Sequence, residues 1–215
     1  MKMTLRQKAY RSIKNKIIYF DLKPGEKILE SKISQTLKLG RVPVREALAM
    51  LENEKLITKA KGYGYIVTEL NDHELEDFFI LRSSLENIGA TFLIERITDT
   101  EIKRIKNHVE KTKEIYEKAD LHKMIESDTK FHDLMYQSTK SEAFYQTISS
   151  LLEKTIMMRA AALQSRKGRE SSIYDHIEIS NAIEQRDLEK LQKLIHEHLK
   201  FAPKHYESVR ALLFS

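Results

Sequence analysis

The 215-residue chain reads as a mainly α protein, in which a small basic module closed by a β-hairpin precedes an all-helical antiparallel bundle of about six helices. Three observations predict this. Three helix-prone segments and two short β-prone runs fall within the first 70 residues. From residue 72 onward, apolar residues recur at helical spacing with only short polar breaks. Charge divides along the same line: residues 1–70 hold 15 Lys+Arg against 7 Asp+Glu, a balance of +8, while 71–215 hold 22 against 25, a balance of −3. A basic first third suits a phosphate-facing module attached to a domain of another kind.

Composition narrows the class further. Charged residues make up 32% and hydrophobic ones 41%, which suits a soluble, core-forming chain and argues against disorder. The chain has no cysteine, so disulfides, thiolate metal sites and cysteine nucleophiles are excluded. No apolar core of signal-peptide length and no stretch approaching a membrane span is present, so a cytoplasmic location is expected.

The first helix is expected over 5–20, with Leu5, Ala9, Ile13, Ile17 and Phe20 on one side, and Pro24 and Gly25 form the turn after it. A short helix over 30–37 follows. Gly40 then opens a helix running to about Glu54, with Pro43 in the first turn, where its missing N–H loses no intrahelical bond. Val44, Ala47, Leu48 and Leu51 face inward by their spacing, leaving Arg41 and Arg45, four apart, on another face. Leu56–Lys59 and Tyr65–Thr68 flank Ala60-Lys-Gly-Tyr-Gly64 as a hairpin. Three helices and a hairpin in this span make a winged helix-turn-helix, domain 1–70.

Helices are expected near 72–96, 99–118, 121–138, 141–166, 171–185 and 187–212, with breaks at Thr98-Asp99, Ala119-Asp120, Thr139-Lys140, Lys167-Gly168 and Arg186-Asp187. Connections this short make sequential helices antiparallel neighbours, so domain 71–215 is a bundle.

A recognition helix needs donors at its exposed start for base edges and phosphates, which Arg41 and Arg45 supply. Lys59, Lys61 and Gly62 at the hairpin tip, together with Lys38, are the further candidates for contact with the duplex. The plain alternative is an exposed arginine face on an ordinary small domain; the coincidence of helix order, hairpin and charge favours DNA.

Within the bundle, four polar residues interrupt apolar stripes. Asp128 and His132 share the face of Met124, Ile125, Phe131 and Met135; His176 shares that of Ile173, Ile177 and Ile183; His198 shares that of Leu191, Ile195 and Ala202. A buried polar group needs a partner or costs free energy. One divalent metal would serve all four, and three imidazoles with a carboxylate suit Zn²⁺ or Ni²⁺, with Mn²⁺ the further alternative. A lone histidine on such a stripe is more often a hydrogen-bonded core residue. His73, His108, His122, His196 and His205 are placed less consistently and read as surface residues, with His196 the substitute for His198 should the last helix be rotated. Arg82, among Leu75, Phe78, Leu85 and Phe92, and Arg159, among Leu152, Ile156 and Leu163, are candidates to bind a small carboxylate effector. For each, a structural salt bridge with Glu86 or another acid is the alternative.

The segment Leu37-Lys-Leu-Gly-Arg-Val-Pro-Val-Arg-Glu-Ala-Leu48, with Pro24-Gly-Glu-Lys-Ile-Leu-Glu30 before it and Leu51-Glu-Asn-Glu-Lys-Leu-Ile57 after it, resembles the GntR family of bacterial transcription regulators. The remainder looks like the FadR-type subfamily, with its C-terminal FCD ligand-binding domain. Gly40 and Val42 stand where that family usually carries Ser or Thr and Thr, and Ser31 where an arginine is common. The FCD pattern, Asp-x-x-x-His on one helix and one histidine on each of two later helices, is matched by Asp128, His132, His176 and His198. The resemblance implies a metal beneath a pocket for a small carboxylate. It also implies a homodimeric, non-enzymatic regulator, most often a repressor, reading a pseudo-palindromic double-stranded operator. Two other readings stay open: a metal-dependent hydrolase with a basic appendage, against which stands the absence of a His-Glu-x-x-His motif, and a structural metal beside a larger effector such as an acyl-CoA.

Overall fold

A computed structural model describes residues 3–60, 62, 64–118 and 120–214, with side chains described through Lys200, except at 153 and 154, and again at Tyr206. The chain divides into two compact units, the first built on residues up to Asn71 and the second on Asp72–Leu212.

The first unit runs α1 (Leu5–Ile18), β1 (Lys27–Ile28), α2 (Glu30–Leu37), α3 (Arg41–Asn53), β2 (Ile57–Ala60) and β3 (Gly64–Val67). Thr4 and Gln7 close a capping box at the start of α1, and Ala9, Ile13 and Ile17 are buried as their spacing requires. Leu5 stays exposed and Phe20 falls beyond the helix in a left-handed conformation, so the apolar face is shorter than its pattern. Helices α1 and α3 pack together, with α2 lying against α3. Val44, Ala47, Leu48 and Leu51 are fully buried, which turns Arg41 and Arg45 outward.

The hairpin has a third member. β1 pairs antiparallel with β3, Lys27 opposite Ile66 and Ile28 opposite Tyr65, giving the sheet order β1-β3-β2. Two residues carry no alternation to read, which is why the sequence shows only β2 and β3. Gly64 is where the close approach of β1 matters: its φ is +84°, and a Cβ there would lie 2.6 Å from the Ile28 carbonyl oxygen.

The second unit is helical throughout: α4 (Asp72–Arg96), α5 (Asp99–Glu117), α6 (Leu121–Gln137), α7 (Glu142–Gln164), α8 (Arg166–Gln185) and α9 (Leu188–Phe214). Thr98, Asp120 and Ser141 cap α5, α6 and α7 with side-chain acceptors. The break between α7 and α8 falls at Ser165, earlier than the Lys167-Gly168 pair would place it. Its hydroxyl accepts from the Gly168 N–H and starts α8 there. Gly168 is thereby drawn into the first turn of α8, where a Cβ would lie 1.9 Å from the Ala162 carbonyl oxygen. α5 packs on α6 and α8, and α7 on α4, α6 and α8. One core cluster, including Leu93, Ile105, Phe131, Ile148, Ile183 and Leu191, joins these helices.

Candidate functional site

Helix α6 places Asp128 and His132 one turn apart on its buried side, flanked by Met124, Phe131 and Met135. His176 enters from α8, where Ile179, Ala182 and Ile183 fix the buried face, and His198 from α9 between Ile195 and Leu199. One ring nitrogen from each of His132, His176 and His198 lies within 4.8 Å of the others. Asp128 Oδ1 faces the same space, 3.6 Å from His176 Nε2 and 4.0 Å from His132 Nε2. The four residues singled out on the apolar stripes therefore come together.

Two inner nitrogens lack hydrogen-bond partners among the described residues, and two outer ones have them. Nε2 of His132 and Nε2 of His176 are buried without a hydrogen bond among the described residues. A buried polar atom left so costs about 1–3 kcal/mol. His198 Nδ1 lies 3.0 Å from Asp175 Oδ2, and His132 Nδ1 lies 3.3 Å from the Tyr136 hydroxyl. The His176 ring stacks on Phe131 with centroids 3.9 Å apart. Burial, reinforced by nearby Arg82 and Arg159, holds the His132 pKa well below the usual histidine range; burial and the neighbouring His198 do the same for His176. Burial works to raise the Asp128 pKa, but Arg159 and His176 outweigh it and keep the carboxyl ionised. Two neutral imidazoles with unshared Nε2 lone pairs beside an ionised carboxylate are a donor set that fits a divalent cation.

Both arginines found on apolar faces are buried, and each meets an acid. Arg82 Nε donates to Glu86 at 2.6 Å and the guanidinium also reaches Tyr136, while its Nη2 makes no hydrogen bond among the described residues. Burial opposes its charge, but Glu86 more than offsets this and its pKa stays raised. Arg159 Nε donates to Asp128 Oδ2 at 2.9 Å; its Nη2 contacts the same oxygen and donates to Thr129 Oγ1 at 3.1 Å. Arg82, Asp128, Arg159, Asp175 and His198 line one pocket with a cavity of about 40 Å³, along with Ser171 and Ser172 of α8. The site's outer contacts are only partly legible in the sequence. Tyr136 sits four residues past His132 on the same helix face, whereas nothing local links Asp175 with His198. Of the histidines read as surface residues, His108 and His196 are half-buried instead: His108 Nε2 lies 2.8 Å from the Ser127 carbonyl oxygen, and His196 Nδ1 lies 3.1 Å from Ser83 Oγ.

In the first unit, Lys38, Arg41, Arg45, Lys59 and Gly62 are exposed. Lys61 lies outside the described residues. Lys38 ends α2 in a left-handed conformation, and Gly40 begins α3 without a side-chain cap, leaving its first amides to an outside acceptor. Arg45 forks onto Glu30 with Nε–Oε2 and Nη2–Oε1 both at 2.9 Å. At Gly62, φ is +80° and nothing stands within 4 Å of a built Cβ, so backbone can approach a flat surface there.

Residues 5–67 match the family described as bacterial regulatory proteins, gntR family, and residues 77–201 match the FCD domain. The chain belongs to the GntR family and carries an FCD domain. It is a DNA-binding transcriptional regulator and not an enzyme, as this family membership establishes. It is 26% identical over 196 residues to the Nta operon transcriptional regulator of Aminobacter aminovorans, covering 91% of this chain and 90% of that one. It is also 22% identical over 196 residues to the HTH-type transcriptional repressor RspR of Escherichia coli (strain K12), covering 91% of this chain and 86% of the relative. Among solved structures, E. coli McbR/YncC shares its fold, with a TM-score of 0.77 at 18% identity and full coverage of both chains.

Proposed function

We propose that this GntR-family regulator is a metal-dependent sensor of a small carboxylate and acts as a homodimeric repressor on a pseudo-palindromic double-stranded operator. The first unit, near residues 1–70, is the DNA-reading domain. Arg41 and Arg45 contact base edges or phosphates from the start of α3, and Lys38, Lys59, Lys61 and Gly62 add contacts to the backbone. The second, near 71–215, is the effector-binding and dimerisation domain. Asp128, His132, His176 and His198 hold a divalent ion of the Zn²⁺, Ni²⁺ or Mn²⁺ group. Arg82 and Arg159 receive the carboxylate in the pocket beside it.

The observation that carries the metal reading is the pair of buried, unpartnered Nε2 atoms on His132 and His176, aimed at the same space as Asp128 Oδ1. A bound ion supplies the partner that the protein does not. The effector reading rests on the buried Arg82 Nη2, also without a hydrogen bond among the described residues, in a residue that lines the adjoining pocket. The room there for a water-sized molecule is small, about 40 Å³, which favours a small acid over an acyl-CoA. Dimerisation is supported by Ile80, Leu81 and Ile88 of α4, each about half exposed on one helix of the bundle. The likeness to RspR, a transcriptional repressor, supports the repressor sign. Among the described residues no helix is long and apolar enough to cross a membrane, and we place the regulator in the cytoplasm with its DNA.

Effector control requires unequal affinity for the DNA-competent and incompetent states. The test is metal analysis of the purified protein, then a thermal-shift screen of small mono- and dicarboxylates with and without His132→Ala. Stabilisation that needs both the ion and His132 supports the reading. A protein that retains no divalent ion and gains no stability from added Zn²⁺, Ni²⁺ or Mn²⁺ overturns it.

A further inference from the structure

Two imidazoles at the candidate metal centre are held from outside by groups that can fix which ring nitrogen faces inward. His198 Nδ1 lies 3.0 Å from Oδ2 of Asp175, a partly exposed carboxylate on the neighbouring helix, 23 residues earlier in the chain. An ionised carboxylate only accepts, so Nδ1 carries the proton and Nε2 keeps its lone pair. His132 Nδ1 lies 3.3 Å from the Tyr136 hydroxyl. Glu86 hydrogen-bonds that hydroxyl and as a carboxylate only accepts, so Tyr136 donates to Glu86 and leaves its oxygen to accept, from His132 Nδ1–H and from Arg82. The same tautomer results, and the Nε2 atom so exposed is one of the two that lack a partner. Glu86 is itself fixed by Arg82 at 2.6 Å. Each ring thus ends on a carboxylate, directly for His198 and through one hydroxyl for His132.

We infer that Asp175 and Tyr136 are positioning residues of the metal centre, orienting His198 and His132 and presenting their Nε2 lone pairs to the ion without touching it. This deepens the metal reading and rests on it. It also gives Tyr136 a role no stripe pattern implies, as the link between Arg82–Glu86 and a ligand imidazole. Outer partners of this kind raise ligand basicity and typically change metal affinity by about 10- to 100-fold.

The test is a chelator-competition titration of full-length protein with Zn²⁺ and with Ni²⁺, alongside melting of the metal-free form. Asp175→Ala and Tyr136→Phe each weaken binding about 10- to 100-fold; the metal-free melting temperature holds for Asp175→Ala and falls for Tyr136→Phe, whose hydroxyl serves two buried groups. Asp175→Asn, the same shape and still an acceptor, recovers part of the loss, a graded response that a merely structural role does not give. Should Asp175→Ala be poorly folded, Asp175→Asn and Tyr136→Phe carry the comparison. Wild-type affinity in all three variants overturns the inference and leaves the metal reading standing. A wild-type protein that binds neither ion overturns both.

Discussion

Arg159 directs both Nε and Nη2 at a single oxygen of Asp128, Oδ2, while Oδ1 of the same carboxylate faces His176 and His132. One buried acid thus serves a guanidinium on one side and an imidazole cluster on the other. Arg159 and Asp128 are each less than a tenth exposed, so neither charge is screened effectively by water.

Removing that guanidinium leaves a buried anion without its cation. Arg159→Ala is expected to destabilise the metal-free protein by about 3 kcal/mol. A divalent ion beside Oδ1 replaces much of the lost charge, so the penalty shrinks when Zn²⁺ or Ni²⁺ is present. Urea unfolding with chelator and with metal measures both values. An equal penalty in the two conditions contradicts a shared carboxylate.

The metal-free protein should lose stability on mild acidification. Burial holds His132 and His176 well below the ordinary histidine pKa, so the unfolded chain takes up protons as pH falls through about 6.5 while the folded chain does not. The loss therefore begins near pH 6.5 and continues down to the folded-state values. Each ring contributes a slope of at most about 1.4 kcal/mol per pH unit. Denaturant midpoints across this window, compared with His132→Gln and His176→Gln, check the sign: the variants flatten the profile.

DNA recognition divides by contact type. On an operator selected from random duplexes, Arg41→Ala is expected to cost about 1–3 kcal/mol and to relax sequence preference. Lys59→Ala should weaken all sequences alike and reduce the slope of log K against log salt by about 1. Neither variant changes metal content. Gel-shift titrations at several salt concentrations separate the two behaviours, and an Arg41→Ala protein with wild-type specificity removes Arg41 from base readout.

Gly168→Ala tests the joint between α7 and α8. The new Cβ would meet the Ala162 carbonyl at 1.9 Å, so the first turn of α8 must shift. A loss of about 2–3 kcal/mol is expected, together with weaker metal binding, since His176 rides on α8. Calorimetry and metal titration of the variant measure both.

Much of this molecule is set by periodicity. The spacing of Val44, Ala47, Leu48 and Leu51 is enough to turn Arg41 and Arg45 outward, and the stripe through Met124, Phe131 and Met135 is enough to turn Asp128 and His132 inward. The same logic puts Arg82 within one turn of Glu86, a pairing the sequence offered and the structure makes. Other features escaped it for identifiable reasons. Strand β1 has too few residues to alternate, and its pairing with β3 spans nearly 40 positions. Ser165 ends α7 because its side chain reaches the Gly168 amide, a local bond that outranks the Lys167-Gly168 pair as a helix stop.

By itself, then, the sequence determined which face of each helix is buried and which polar residues are carried into the core with it, because the helical repeat is a property of the local chain. Which of those residues meet was decided only by tertiary structure. That His176 and His198 join Asp128 and His132, that Arg159 takes Asp128 as its partner, and that Asp175 reaches His198 depend on how α6, α7, α8 and α9 are rotated and offset against one another. Those rotations follow from packing the whole core at once, and no window along one helix contains them.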